Sequence, residues 1–151
     1  MERDQLVGTR GEEIVYRQEL EKVRRFGHAR PEDYVSWTSR SNPGADHDIR
    51  SITEDSQPLW IEVKSTAGTD GRFDWPKKEF EKALREGNHY ELWRVYEADT
   101  AHPTIKRFRD PVSLLRRAAL RLDLGTLRAM VEPMQAPSSA PTVGASITTE
   151  P

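Results

Sequence analysis

Asp48 in "GADHDIRSI" and Glu62 and Lys64 in "PLWIEVKST" are the residues whose types and spacing could do chemistry. In an extended strand Glu62 and Lys64 point to the same side, about 7 Å apart. Thirteen residues separate Asp48 from Glu62, the length of one strand and a tight turn. A hairpin there would bring the two carboxylates onto neighbouring strands spaced ~4.8 Å apart, close enough to share a hard cation. Two carboxylates without thiols suit Mg²⁺ or Mn²⁺, which take oxygen ligands and keep several waters. Such an ion polarises a phosphodiester and lowers the pKa of a bound water, while a neighbouring lysine positions that water or stabilises developing charge.

Each residue also has a plainer reading. Without a metal, Lys64 simply pairs with Glu62 on an exposed sheet face, and Asp48 beside a turn is a turn residue. A third acid, Glu12, falls near the middle of the apolar stripe Val15, Tyr16, Leu20 and Val23. A helix N-terminus favours a carboxylate at such a place. Glu19 projects from the same apolar face, as it would on a helix bordering a wet cleft. Taken together, a helix with a carboxylate, a strand opening on Asp and a strand bearing Glu-x-Lys favour one shared site.

The elements that must position them follow from periodicity. Val15, Tyr16, Leu20, Val23 and Phe26 define a helix over 11–26, stopped by Gly27. "DYVSWTS" alternates as a strand, "RSNPGAD" is turn chemistry, and 47–53 forms a second strand. The third strand is "PLWIEVKST", with Leu59, Ile61 and Val63 facing the core and Trp60, Glu62 and Lys64 facing away. After a glycine-containing loop, Pro76 opens the helix "KKEFEKALRE", closed by Gly87 and Asn88. "HYELWRVYEA" and "TIKRFR" form a hairpin, followed by a helix over 112–122 and a short helical piece over 126–131. The fold class is α/β (α+β): a central mixed sheet flanked by helices, in the order α-β-β-β-α-β-β-α. Residues 1–132 make one domain, and the Pro/Ser/Thr/Ala-rich tail 133–151 is too poor in bulky apolar residues to order itself.

Composition narrows the classes. With 151 residues the chain fits a single core, and it carries no apolar run of the ~18–20 residues that a membrane span needs. A charged N-terminus without a signal-like apolar stretch and the lack of cysteine fit a cytoplasmic protein. The net charge of −2 decides nothing about nucleic acid, because a local patch matters more than the total. One such patch is Lys106, Arg107, Arg109, Arg116, Arg117, Arg121 and Arg128, against only Asp110 and Asp123. It reads either as a solvated helix face or as a weak nucleic-acid contact surface.

The stretches "VGTRGEEIVY", "GADHDIRS", "LWIEVKST", "FDWPKKEFEKA", "HYELWRVYEAD" and "IKRFRDP" together resemble the NO VEIN C-terminal domain family, of the PD-(D/E)XK, restriction-endonuclease-like superfamily. The resemblance runs from Leu6 to Pro111 and rests on the ordered series, since Glu-x-Lys alone is a weak motif. It implies a restriction-endonuclease-like core with its acids at a fork in the sheet. It assigns Asp48 and Glu62 as metal ligands, the Val63 carbonyl as a further one, Lys64 as the catalytic lysine and Glu12 as the helix-one glutamate. One departure is Pro76, where a small hydroxyl residue is expected to start the second helix.

Two functional readings follow. The first is a Mg²⁺- or Mn²⁺-dependent nuclease-like domain hydrolysing DNA phosphodiester bonds, with restriction, phage defence or repair as its setting. Its partners would be DNA and a separately encoded helicase, ATPase or restriction protein, and double-strand cleavage would call for a homodimer. The second is a non-catalytic nucleic-acid-binding or protein-interaction module that retains the nuclease fold.

Overall fold

A computed structural model of the chain describes residues 2–124 and 129. The tail from 133 and, apart from Ala129, the expected helical piece over 126–131 lie outside them. Helix α1 spans Glu2–Arg25, starting well before the expected residue 11. Its first turn carries Glu2 and Asp4 and its last Lys22, Arg24 and Arg25, both favourable to the helix dipole. It ends at Gly27, whose φ of +99° suits glycine and whose N–H donates to the Arg24 carbonyl at 3.0 Å.

The buried row of α1 is Val7, Gly11, Val15, Glu19 and Val23, an unbroken i, i+4 series. Glu12 therefore stands beside the buried row, not at its centre as the stripe suggested. The row packs on a sheet face made by Ile49, Leu59, Ile61, Val63, Trp93 and Val95. Gly11 sets how close the helix comes: a Cβ there would lie 1.7 Å from the Ser65 Oγ. No other residue type permits that approach.

Five strands form one sheet in chain order. β1 (Ser36–Trp37), β2 (Ile49–Ile52) and β3 (Pro58–Ser65) make an antiparallel meander. Between β1 and β2 lies a single helical turn, α2 (Thr38–Ser41). Helix α3 (Lys77–Glu86) carries the chain across to β4 (Tyr90–Tyr96), which is parallel to β3. β5 (Thr104–Arg109) closes the order antiparallel to β4. The short helix α4 (Pro111–Arg116) follows, its N-terminal N–H of Ser113 accepted by the Asp110 side chain.

Three further elements differ from the sequence reading in their bounds. "DYVSWTS" yields only the two residues of β1, because Trp37 and Ser39 turn their side chains toward α1 and the backbone coils at Thr38. The second strand starts at Ile49, leaving His47 and Asp48 ahead of it. The last helix stops at Arg116 and not at residue 122.

The largest difference concerns β3, which was expected to expose one face. A second cluster (Ala83, Tyr90 and Leu92, with Trp60, Phe73, Trp75 and Phe108 against it) covers that face from the α3 side. Glu62 is consequently 3 % exposed, not a surface charge.

Candidate functional site

Asp48 immediately precedes β2 and is tied into the sheet from both sides. Its N–H donates to the Ile61 carbonyl at 2.9 Å, and its own carbonyl accepts from the Ser39 N–H at 3.1 Å. Its Oδ2 accepts the Val63 N–H at 2.8 Å, which fixes the carboxylate against β3. The loop leading to it is held from α3, where Lys78 Nζ donates to the Gly44 carbonyl at 2.9 Å. His47 adds a second tie, its ring nitrogens 2.8 Å from Asp46 Oδ1 and 3.0 Å from Thr38 Oγ1.

Glu62 and Lys64 share the α3-side face of β3 and form an ion pair, Nζ to Oε1 at 3.1 Å. A second carboxylate completes it: Glu79, in the first turn of α3, takes Lys64 Nζ at 2.7 Å. Glu79 was not among the expected residues. Its partner is fifteen positions away, and "KKEFEK" reads locally as a solvated helix. The available signal was its spacing, since Glu79 lies four residues before the buried Ala83 and so on the inward row.

The charges are strained in one direction. Burial first, and then the neighbouring Glu12 carboxylate, push Asp48 up to about 6. Burial, followed by the charge on Asp48, raises Glu62 well above the usual carboxylate range. Burial works against the ammonium of Lys64, but Glu62 and Glu79 outweigh it and hold the lysine charged. The half-buried Asp48 and the buried Glu62 thus face each other, with one lysine paired to Glu62 and Glu79.

Glu12 holds a different position. Its Oε2 accepts both the Trp37 Nε1–H at 2.7 Å and the Ser39 hydroxyl at 2.8 Å. With Thr9, Glu13, Trp37, Ser39, Arg40, Pro43 and Asp48 it lines a cleft of about 610 Å³. Asp48 is the residue common to both groups: it lines the cleft and interacts with Glu62. Glu62 and Lys64 are recessed behind it, with side chains 5 % and 16 % exposed. Glu19 belongs elsewhere, buried beside Lys22 in a smaller cavity of about 250 Å³ against Trp93 and Arg107.

The donor set can be tested against a divalent cation. Among the described residues no three His, Cys, Asp or Glu side chains form a ready metal-holding group. Glu12 is engaged by Trp37 and Ser39, and Glu79 by Lys64. Asp48 keeps one carboxylate oxygen beyond its Val63 bond and Glu62 one beyond its Lys64 pair, two mutually repelling oxygen donors that a hard cation would relieve, with waters or substrate oxygens completing the shell. Oxygen donors of this kind are of the class that Mg²⁺ and Mn²⁺ take. Val63 meets Asp48 through its N–H, while the role expected of it concerns its carbonyl.

The described residues of the basic segment are divided between surfaces. Strand alternation sends Lys106 and Arg107 to opposite faces of the sheet. Arg107 is taken up by Glu91 at 3.1 Å and lies over the Trp93 ring at 4.4 Å, while Arg109 donates to the Asn88 carbonyl at 2.9 Å. Arg116 ends α4 and Arg117 follows it. None of these five lines the cleft.

A five-stranded mixed sheet with helices on its faces, and acids where the antiparallel meander meets the parallel pair, is consistent with a restriction-endonuclease-like core. Within that class the sequence profile described as Protein NO VEIN, C-terminal, matches residues 11–108, and the chain belongs to this family. Glu12, Asp48, Glu62, Lys64 and Glu79 all fall inside the matched span. No curated protein and no solved structure matches the chain. Among the described residues no helix is long and apolar enough to cross a membrane.

Proposed function

We propose that the chain is a Mg²⁺- or Mn²⁺-dependent nuclease-like domain that hydrolyses phosphodiester bonds of DNA. The observation that carries this reading is the placement of Asp48 at the cleft wall, against Glu62 and the doubly paired Lys64. A divalent cation bound by Asp48 and Glu62 would supply a polarised phosphate oxygen and a water of lowered pKa. The protein's own residues do the rest. The Val63 N–H and the sheet bonds fix Asp48, so its carboxylate needs no reorganisation. Glu79 keeps Lys64 charged and in place, ready to stabilise negative charge on the phosphate. Trp37 and Ser39 hold Glu12 beside Asp48 in the cleft, where its carboxylate accepts or orients the proton of an attacking water.

Incubation with supercoiled, linear duplex and single-stranded DNA tests the reading. Nicking or cutting is expected with Mg²⁺ or Mn²⁺, none in EDTA, and a loss of at least a hundredfold in Lys64→Met. Cleavage that survives EDTA, or that Lys64→Met performs as well as the wild type, would overturn it.

A second reading has its own observation. Glu62 is recessed, and Lys64 is fully engaged by two carboxylates, as in a site that has closed. A module retaining the fold without cleavage predicts DNA binding that is salt-sensitive and needs no divalent ion. Binding that appears only with Mg²⁺ present would contradict it.

A further inference from the structure

Arg40 lies on the cleft wall with Glu12, Glu13 and Asp48, yet it pairs with none of these carboxylates among the described residues. Its guanidinium carbon sits 5.2 Å from the centroid of the Trp37 ring. The indole is itself pinned, by the Nε1–H bond to Glu12 at 2.7 Å and by Tyr16, whose ring centroid is 5.6 Å away. Glu13 is occupied by Arg17 at 2.6 Å and Arg10 at 3.5 Å. An arginine among carboxylates ordinarily collapses onto one of them. Here stacking on a fixed ring holds it apart and leaves its N–H edge open to solvent.

We propose that Arg40, stacked on Trp37, is a binding residue for a backbone phosphate of the nucleic-acid strand that occupies the cleft. This deepens the phosphodiester reading above and rests on it. A guanidinium presents its donors as a planar fork that matches two phosphate oxygens, and a ring beneath it fixes the plane of that fork. Tyr16 and Arg40 already pack on the indole, so the contact offered is to the sugar-phosphate backbone and carries no sequence information. The Trp37–Glu12 bond then links the phosphate grip directly to the acid wall of the site. Among the described residues the cleft's cation comes from the turn between β1 and β2, not from Lys106, Arg107, Arg109, Arg116 or Arg117.

Fluorescence anisotropy with a fluorescein-labelled DNA duplex and its single strand, in EDTA and in Ca²⁺, tests the assignment. Arg40→Ala is expected to weaken binding roughly fivefold to twentyfold near 0.1 M salt, and to make the slope of log K against log salt shallower by about 0.7–0.9. Arg40→Lys keeps the charge but not the stacked fork, and is expected to fall between the two. Because Arg40 is exposed, the melting temperature of both variants should match the wild type. Unchanged affinity and salt slope in Arg40→Ala would overturn the assignment, and full affinity in Arg40→Lys would overturn the stacked-fork account. Wild-type protein that cleaves DNA alongside an indifferent Arg40→Ala sinks this inference alone. Wild-type protein that neither binds nor cleaves sinks the phosphodiester reading with it.

Discussion

Asp48 and Glu62 are carboxylates kept in a place where each is unfavourable to the other, and that tension makes predictions about single residues. In Asp48→Asn the amide oxygen can still accept the Val63 N–H, while the repulsion with Glu62 and Glu12 disappears. The variant should melt several degrees above the metal-free wild type at pH 8, and Mg²⁺ should no longer raise its melting temperature. A lower melting temperature would show that the carboxylate is stabilising and the account wrong. Glu79→Gln tests the lysine's second partner. It leaves Lys64 to Glu62 alone, which should lower the cleavage rate roughly tenfold to a hundredfold and weaken Mn²⁺ binding seen by calorimetry. Unaltered rate and affinity would make Glu79 a bystander. Lys64 itself is not a neutral position to delete, because Lys64→Ala leaves the buried Glu62 and the half-buried Glu79 without their shared partner, a change that costs about 3–5 kcal/mol in comparable buried pairs. At this scale Asp48, Glu62 and Lys64 could be singled out from their types and spacing, and the fold does bring them together. Glu79, Trp37, Ser39 and Arg40 could not, because each acts through a partner that only the folded chain brings near.

The elements show which parts of a sequence speak for themselves. The bounds of β5 and α3 were readable because their pattern is local: alternation in "TIKRFR", and an amphipathic run closed by glycine in "KKEFEKALRE". β1 is shorter than its pattern suggested because the chain coils at Thr38, where Trp37 and Ser39 turn to Glu12. The burial of the Glu62 face was missed because α3 covers it only after the crossover to β4. Gly11 offers the sharpest element-scale test. Gly11→Ala places a methyl 1.7 Å from the Ser65 Oγ, and even with that hydroxyl rotated away it stays 2.8 Å from the Ser65 Cβ, so α1, with Glu12, is expected to shift from β3. A loss of about 1–3 kcal/mol is expected, together with reduced cleavage. Gly11→Ala with Ser65→Gly should regain most of both. Gly8→Ala is the control, since nothing lies within 4 Å of the added methyl, and helix propensity alone should stabilise it by about 1 kcal/mol. Equal melting of Gly11→Ala and Gly8→Ala in a denaturation series would remove the close approach from the account.

For the whole molecule, the same carboxylates govern how stability varies with pH. Asp48 has a folded-state pKa of about 6 against an ordinary value of 3.8, so between these pH values the folded chain binds more protons than the unfolded one. Stability of the metal-free protein is therefore expected to fall as pH rises from about 4 to about 6, by about 2–3 kcal/mol from Asp48, with Glu62 acting in the same direction. Mg²⁺ should restore the loss above pH 6. Urea unfolding across that range, with and without the ion, measures both effects. A profile that rises through the window in metal-free buffer would contradict the burial of the pair. The mixed sheet with helices on its faces was readable from element order, since a meander, a helix and a hairpin leave few other topologies. The position of the cleft was not readable, because it lies between α1 and the turn after β1, two segments brought together only by packing. The claim on which everything else depends is that Asp48 belongs to a cation-dependent hydrolytic site. It is tested most directly by comparing DNA cleavage by the wild type and Asp48→Asn across a Mg²⁺ titration, with folding verified for both. Mg²⁺-dependent cleavage is expected of the wild type and none of a variant that is at least as stable. Equal cleavage by the two proteins, or none by either at any Mg²⁺ concentration, would contradict it.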